Sequence, residues 1–262
     1  MKAIFPLLFF LSLLFSIEKY KEVRIYDDTN EVISKLKNAG LDIDHIYKQD
    51  GLWIEFVISE NRLELLNATH LHYEIMHEDI EEHYRSRLDN NFESRDFDLG
   101  SMGGYYTFTE IEAQLDKFHT NFPELVSSKV SIGETLEGRN IWMIKISDNP
   151  NIDENEPEML YTGLHHSREP MSYMNLFYFM DWLTDNYGTD PEATALVNSR
   201  ELYFIPAINP DGLVYNQQIA PNGGGMQRKN MRETCLSSVD GVDLNRNYSY
   251  MWGLDDSGSS PD

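Results

Sequence analysis

The sequence predicts an α/β protein in which a small α+β unit precedes a larger layer of helices and strands. The N-terminal third follows the predicted order β-α-β-β-α-β. After a polar, glycine-bearing stretch at residues 89–104, helical and strand patterns alternate, which is typical of layered α/β domains. The chain has 262 residues, 41% of them hydrophobic, and is therefore long enough to bury a sizeable core.

The N-terminal unit, residues 18–88, is predicted to be ferredoxin-like because its element order is that of the split β-α-β-β-α-β unit. Asp28 or Thr29 would cap the first helix, and Gln49-Asp50-Gly51 is a hairpin signal. Strands are predicted at residues 20–26, 42–48, 52–59 and 72–76, and helices at 30–38, 60–66 and 78–88.

Residues 89–104 are predicted to be a linker, and residues 105–262 a second domain. Thr107 and Glu110 form a capping-box pattern, and Pro170 suits the first turn of a helix. Further strands are predicted at residues 126–132, 140–146, 158–164 and 202–207, and helices at 170–186 and 191–197. The composition of Asn209-Pro210-Asp211-Gly212 predicts a turn with a positioning role.

The first residues predict export. A basic start followed by an apolar run from Ala3 to Ser16 has the length of a secretory signal, so residues 1–17 are predicted to be a signal peptide and the protein to be secreted or periplasmic. The run is too short for a membrane span, so no stable membrane anchor is expected. Cys235 is the single cysteine, which excludes an intrachain disulfide, and a net charge of −23 argues against nucleic-acid binding. We expect a monomer.

The most informative segment is the tetrad His166-Ser167-Arg168-Glu169, which follows a hydrophobic run ending at Gly163. A turn at the end of a strand can aim His166 and Glu169 at one point. Imidazole and carboxylate are zinc ligands, and a catalytic zinc usually has three protein ligands plus water. Arg168 would add a positive charge beside the metal.

Taken alone, this pattern is weak, because H-x-x-E often occurs by chance and an exposed His and Glu usually bind nothing. His165 is also adjacent, but neighbouring side chains in an extended strand point to opposite faces. We choose His166 because Glu169 lies at the matching offset.

Three further segments follow the tetrad along the chain. They are Asn209-Pro210-Asp211-Gly212, Met226-Gln227-Arg228-Lys229-Asn230 and Gly241-Val242-Asp243-Leu244-Asn245-Arg246-Asn247-Tyr248. In this order and spacing, from about Tyr105 onward, the chain resembles the zinc metallocarboxypeptidases, especially the secreted, carboxypeptidase T-like bacterial type. The Glu137-Gly138-Arg139 segment is also similar to that family.

The resemblance implies a mixed-sheet α/β/α catalytic domain, Zn²⁺ as cofactor, and the free C-termini of peptides or proteins as substrate. It makes His166 and Glu169 metal ligands and Arg228 the catalytic, oxyanion-stabilising residue. Asn245 and Arg246 would hold the terminal carboxylate, and Arg168 would bind substrate. These roles suit the side chains, since guanidinium pairs bidentately with carboxylate and an oxyanion needs a positive neighbour.

The sequence also departs from the family. All eight histidines lie at or before His166, so the family's third, histidine ligand has no counterpart, and its general-base glutamate is also missing. We therefore expect an N-terminal piece of a longer secreted precursor, incomplete in its catalytic domain. Two alternatives stay open: a zinc amidase or deacylase acting on small acyl-amino acids or cell-wall peptides, and a non-catalytic peptide-binding pseudo-enzyme.

Overall fold

The computed structural model describes residues 19–41, 43, 46–87, 97–233, 241–250 and 252. The chain divides into two compact units between Ile80 and Glu81. The predicted signal peptide and the first half of the predicted linker, residues 89–96, lie outside the described residues. Within the described part there are two four-stranded sheets and seven α-helices.

The N-terminal unit has one sheet, with strands in the order β2-β3-β1-β4 and every neighbouring pair antiparallel. Its strands are β1 (Tyr20–Ile25), β2 (Tyr47–Gln49), β3 (Trp53–Ser59) and β4 (Glu74–His77). Its helices are α1 (Asn30–Asn38), α2 (Leu63–Ala68) and the start of α3 (Ile80–Ser86), and a 3₁₀ turn (Glu60–Arg62) precedes α2.

Alternation along the strands builds the core of this unit. Val23 and Ile25 of β1 are buried, as are Ile54, Phe56 and Ile58 of β3, while the residues between them are half-buried. Helix α1 adds two buried side chains, Val32 and Leu36. Each fully buried aliphatic or aromatic side chain contributes about 1.5–3 kcal/mol.

The C-terminal unit has a mixed sheet with strand order β5-β6-β8-β7, in which β7 and β8 are parallel and the other pairs antiparallel. The strands are β5 (Val130–Glu134), β6 (Asn140–Ile146), β7 (Glu158–Thr162) and β8 (Glu201–Ile205). The helices that follow α3 are α4 (Phe108–Asn121), α5 (Met171–Asp185), α6 (Pro191–Val197) and α7 (Pro210–Ile219).

Local signals account for several helix starts. Thr107 and Glu110 form the predicted capping box of α4, and Asp190 caps α6 by accepting from the amides of Glu192 and Ala193. Helix α5 begins directly after Pro170, as predicted. Tyr173 and Phe177 of α5 are almost fully buried in the core of this unit.

Some sequence predictions were wrong in detail. The predicted turn Asn209-Pro210-Asp211-Gly212 is the N-cap and first turn of α7. The predicted strand at 42–48 begins only at Tyr47, and Asp42, Asp44 and His45 lie outside the described residues. The strand predicted at 126–132 begins at Val130.

In the part of the chain that the structure covers, no helix is both long and apolar enough to cross a bilayer.

Candidate metal and substrate site

The site begins where β7 ends. Leu164, two residues beyond the strand, has a φ of 55°, which is rare for a residue with a branched side chain. Such a conformation costs on the order of 1–3 kcal/mol and persists only when its surroundings fix it. Here the Leu164 backbone amide donates to Ser172 Oγ at 2.9 Å, and the Leu164 carbonyl accepts from the backbone amide of Asn209 at 3.1 Å. The kink redirects the chain into the tetrad.

His166 and Glu169 come together as the spacing predicts. Nδ1 of His166 lies 3.1 Å from both carboxylate oxygens of Glu169, and the Glu169 amide donates to the His166 carbonyl at 3.0 Å. The His166 side chain is 4% exposed and that of Glu169 is 44% exposed. One face of the pair is thus buried in protein and the other is open to solvent.

Asp243 holds the other side of the imidazole. Its Oδ1 lies 3.1 Å from His166 Nε2, and its Oδ2 accepts from Arg228 Nη2 at 2.9 Å. Nη1 of Arg228 lies 3.6 Å from Glu169 Oε1. His166, Glu169, Asp243 and Arg228 therefore form one continuous charged network.

The predicted carboxylate-binding pair adjoins this network through Asp243. The backbone amide of Asn245 donates to Asp243 Oδ1 at 2.8 Å, and this is the same oxygen that contacts His166. Asn245 and Arg246 lie in an exposed 3₁₀ turn, and Arg246 Nη1 donates to the Asn245 carbonyl at 3.2 Å. Arg168 is half-buried in the tetrad itself.

His165 contacts a different partner from His166, in agreement with the expected alternation. Its Nε2 lies 2.6 Å from the hydroxyl of Tyr248. Burial, and then the charge of His166, lower the pKa of His165, which favours the neutral form of its ring. The segment from Asp243 to Tyr248 is thus tied at both ends to neighbouring histidines.

Comparison with known proteins identifies the family. The model of the zinc carboxypeptidase family matches residues 111–262, more than half of the chain. The chain belongs to the zinc carboxypeptidase family.

Two relatives illustrate the extent of the match. The chain is 35% identical over 234 residues to a zinc carboxypeptidase of Saccharothrix mutabilis subsp. capreolus, covering 86% of this chain and 51% of that protein. It is 32% identical over 232 residues to carboxypeptidase A1 of Mus musculus, covering 85% and 51%. The chain thus spans about half the length of these relatives.

Solved structures support the fold. Carboxypeptidase A from Helicoverpa armigera superposes with a TM-score of 0.71 at 21% identity, over 94% of this chain and 60% of that one. Thrombin activatable fibrinolysis inhibitor superposes with a TM-score of 0.64 at 22% identity, over 90% and 60%. The mixed α/β architecture is therefore that of the carboxypeptidases.

The metal of zinc carboxypeptidases is Zn²⁺, and the geometry of His166 and Glu169 fits this ion. Two ligand atoms about 2.0–2.1 Å from a tetrahedral zinc lie roughly 3.3 Å apart. The observed 3.1 Å between Nδ1 and each Glu169 oxygen is close to that separation. Metal-binding histidines generally use one nitrogen for the ion and the other for a carboxylate, as Nε2 does with Asp243.

The pKa values of Asp243 and His166 are set by opposing effects of burial and of neighbouring charged groups. Burial would raise the pKa of Asp243, but the His166 hydrogen bond and the Arg228 charge outweigh it and hold that pKa well below its usual range. Burial would lower the pKa of His166, but hydrogen bonds with Asp243 and Glu169 raise it overall. Asp243 is thus a permanent anion behind the imidazole.

The sequence assigns no individual role to Asp243 or Asn209, although both lie in segments of the resemblance. Asp243 lies in the segment at residues 241–248, but only its contact with His166, 77 residues earlier, distinguishes it from its neighbours. The sequence predicts Asn209 to be part of a turn, yet its buried side chain reaches the backbone of both His165 and Arg228. A polar side chain directly before a Pro-initiated helix was the one local signal available for Asn209.

Proposed function

We propose that the protein is a secreted, zinc-dependent metallocarboxypeptidase precursor that removes C-terminal amino acids from peptides and proteins. Its N-terminal residues 1–17 act as the signal peptide that directs it out of the cytoplasm. The observation that carries the proposal is the continuous network of His166, Glu169, Asp243 and Arg228, with contacts from 2.9 to 3.6 Å.

Each side chain has a distinct task in this proposal. His166 Nδ1 and Glu169 would hold the zinc, which would supply polarisation of the scissile carbonyl and activation of water. Asp243 orients His166 from behind. Arg228 is the catalytic residue that stabilises the oxyanion, and its buried guanidinium is fixed by Asp243, so little reorganisation is needed as charge develops.

Recognition of the substrate terminus falls to the exposed Asn245 and Arg246, with Arg168 as a further contact. A carboxylate accepts two parallel hydrogen bonds from a guanidinium, which favours a free terminus over an internal peptide bond. The backbone link from Asn245 to Asp243 keeps this pair in register with the metal ligand.

The domain plan is also a proposal. Residues 18–88 form a ferredoxin-like prodomain, 89–104 a linker, and 105–262 the catalytic domain. The strand order β2-β3-β1-β4 and the antiparallel pairing of the N-terminal sheet support the ferredoxin-like assignment.

The test is hydrolysis of matched peptides with free and amidated C-termini by the full-length protein, read by mass spectrometry. We expect a ladder of products shortened from the C-terminus, only with the free peptide, and loss of activity on adding a metal chelator. Internal cleavage, or activity that survives chelation, would contradict the proposal.

A second candidate is a non-catalytic peptide-binding protein. Its binding site would be the exposed Asn245 and Arg246, which need no metal ion to hold a peptide carboxylate. Binding of the free peptide without hydrolysis would support it. Hydrolysis of N-acyl amino acids but not of peptides would instead support an amidase or deacylase.

A further inference from the structure

The segment Asn209-Pro210-Asp211-Gly212 lies directly beneath the candidate site. The Asn209 side chain is buried, with 1% of the residue exposed. Its Oδ1 accepts from the Gly212 amide at 3.1 Å and caps α7. Its Nδ2 donates to the carbonyls of His165 and Arg228, each at 3.3 Å. One amide group therefore joins three segments of the chain.

Direct packing strengthens this junction. A Cβ atom at Gly212 would lie 2.7 Å from Ser167 Cβ, so only glycine allows the helix start to approach the tetrad this closely. Ser167 in turn donates from its amide to the Arg228 carbonyl at 3.0 Å and from Oγ to the Gln227 carbonyl at 2.6 Å. The tetrad and the Arg228 segment are thus held together by both backbone and side chain.

Asp211 fixes the first turn of α7 from the opposite side. Its buried carboxylate accepts from Thr135 Oγ1 at 2.7 Å, from Arg139 Nη1 at 2.7 Å and from the Glu137 amide at 3.2 Å. These three groups belong to the hairpin between β5 and β6. Helix α7 is therefore anchored to the β5–β6 hairpin, and Asn209 links the start of the same helix to the site.

From these contacts we infer that Asn209 is a positioning residue that sets the distance between the metal-ligand turn and Arg228. The inference rests on the proposed function only for the role of Arg228 in turnover. An asparagine suits the task because its amide has an acceptor for the helix cap and two donors for the carbonyls. Serine caps a helix equally well but is too short to reach both carbonyls.

The position of Arg228 matters because oxyanion stabilisation depends on exact distances. A misplacement of about 1 Å can cost on the order of 100-fold in rate. Losing the Asn209 donors loosens the backbone from which the Arg228 side chain projects. Asp243 still holds the guanidinium at one end, so substrate binding should change less than turnover.

We call the three hydrogen bonds of the Asn209 side chain the clamp. Hydrogen exchange on the 262-residue chain tests this clamp without any activity measurement. In Asn209→Ser we expect exchange of the Ser167 amide to accelerate about tenfold, equivalent to about 1.4 kcal/mol for one lost hydrogen bond. The Gly212 amide should keep its protection within about twofold, because the serine still caps α7.

The matched control is Asp190→Ala, which removes the cap of α6 and with it the acceptor of the Glu192 and Ala193 amides. It should speed exchange at those amides and leave Ser167 unchanged after correction for global stability. If Asn209→Ser and Asp190→Ala alter Ser167 equally, Asn209 is only a helix cap and the inference is wrong.

Kinetics of the full-length protein provide an independent readout. Asn209→Ser should lower kcat about 10- to 100-fold with KM changed less than about threefold. Unchanged kcat together with faster Ser167 exchange would overturn the link to Arg228. If the wild-type protein has no peptidase activity, the proposed function fails, and the exchange experiment still decides whether the clamp exists.

Discussion

Two buried ion pairs in the C-terminal unit have the same chemistry but different surroundings. Lys145 and Glu201 meet across β6 and β8 with Nζ and Oε1 2.6 Å apart, and their side chains are 8% and 0% exposed. Arg228 and Asp243 meet at 2.9 Å, with side chains 7% and 8% exposed. Burial alone therefore does not separate a purely structural pair from the pair in the proposed site.

The difference lies in where each network ends. Glu201 also accepts from the Glu154 amide and the Tyr203 hydroxyl, each at 3.1 Å, and Lys145 also donates to the Ile152 carbonyl. We call this network closed, because each of these hydrogen bonds runs to another protein group. The Arg228–Asp243 pair instead continues through His166 to Glu169, whose carboxylate is 44% exposed. An open end at the surface is where a metal ion and a substrate can enter.

The largest effect is expected from breaking the closed pair. Lys145→Met should destabilise the chain by about 3–5 kcal/mol, because it leaves the Glu201 charge buried without its cation. Denaturant unfolding measures this change. The double variant Lys145→Met/Glu201→Gln should recover most of the loss, and equal instability of the two variants would contradict the ion-pair explanation.

Substitutions in the network that runs from Arg228 through Asp243 and His166 to Glu169 should change catalysis more than stability. Arg228→Ala in the full-length protein should lower kcat by about 100- to 1,000-fold, or roughly 2.7–4 kcal/mol, because an oxyanion donor acts mainly in the transition state. Steady-state kinetics measure it, with Arg228→Lys as the charge-retaining control. A raised KM with normal kcat would instead assign Arg228 to substrate binding.

Removing the predicted carboxylate grip should mainly affect affinity. Arg246→Ala should raise KM for peptides with a free C-terminus by about 10- to 150-fold, the value of a charge-assisted hydrogen bond of about 1.5–3 kcal/mol. Amidated peptides serve as the control, since they lack the charge that Arg246 is proposed to bind. Full retention of the preference for the free terminus would show that Arg246 is wrongly assigned.

The smallest effect concerns a half-buried acid outside both networks. Burial, and then the charge of Asp185, raise the pKa of Asp181 to about 6. Because this folded-state pKa exceeds the unfolded value of about 3.9, the contribution of Asp181 to stability is present below about pH 4 and is lost as pH rises through 6.

Asp181→Asn should therefore gain about 1–2 kcal/mol over the wild type at pH 7, and little at pH 4. Urea unfolding at the two pH values measures this difference. The same gain at both pH values would mean that ionisation of Asp181 is not the cause.

The sequence predicted the structural features that depend on residues close together along the chain. The Thr107–Glu110 capping box and the helix start after Pro170 are local, and both are present. The pairing of His166 with Glu169 also followed from their spacing.

What the sequence could not predict depends on distant contacts. Asn209 begins a helix rather than a turn because its side chain is held by the carbonyls of His165 and Arg228, and the following Asp211 is held by the β5–β6 hairpin. Asp243 can take its proposed role only when folding brings it to His166. No local pattern encodes either contact.

The most direct test of the metal site is calorimetric titration of the 262-residue chain with zinc. Two protein ligands instead of three should give weak binding, with Kd in the micromolar range or above, about −8 kcal/mol or less favourable. His166→Ala should abolish this binding, whereas Lys145→Met/Glu201→Gln should leave it unchanged. Zinc binding that survives His166→Ala would contradict the site, and tight stoichiometric binding would reveal a missed ligand, with His165 the first to test.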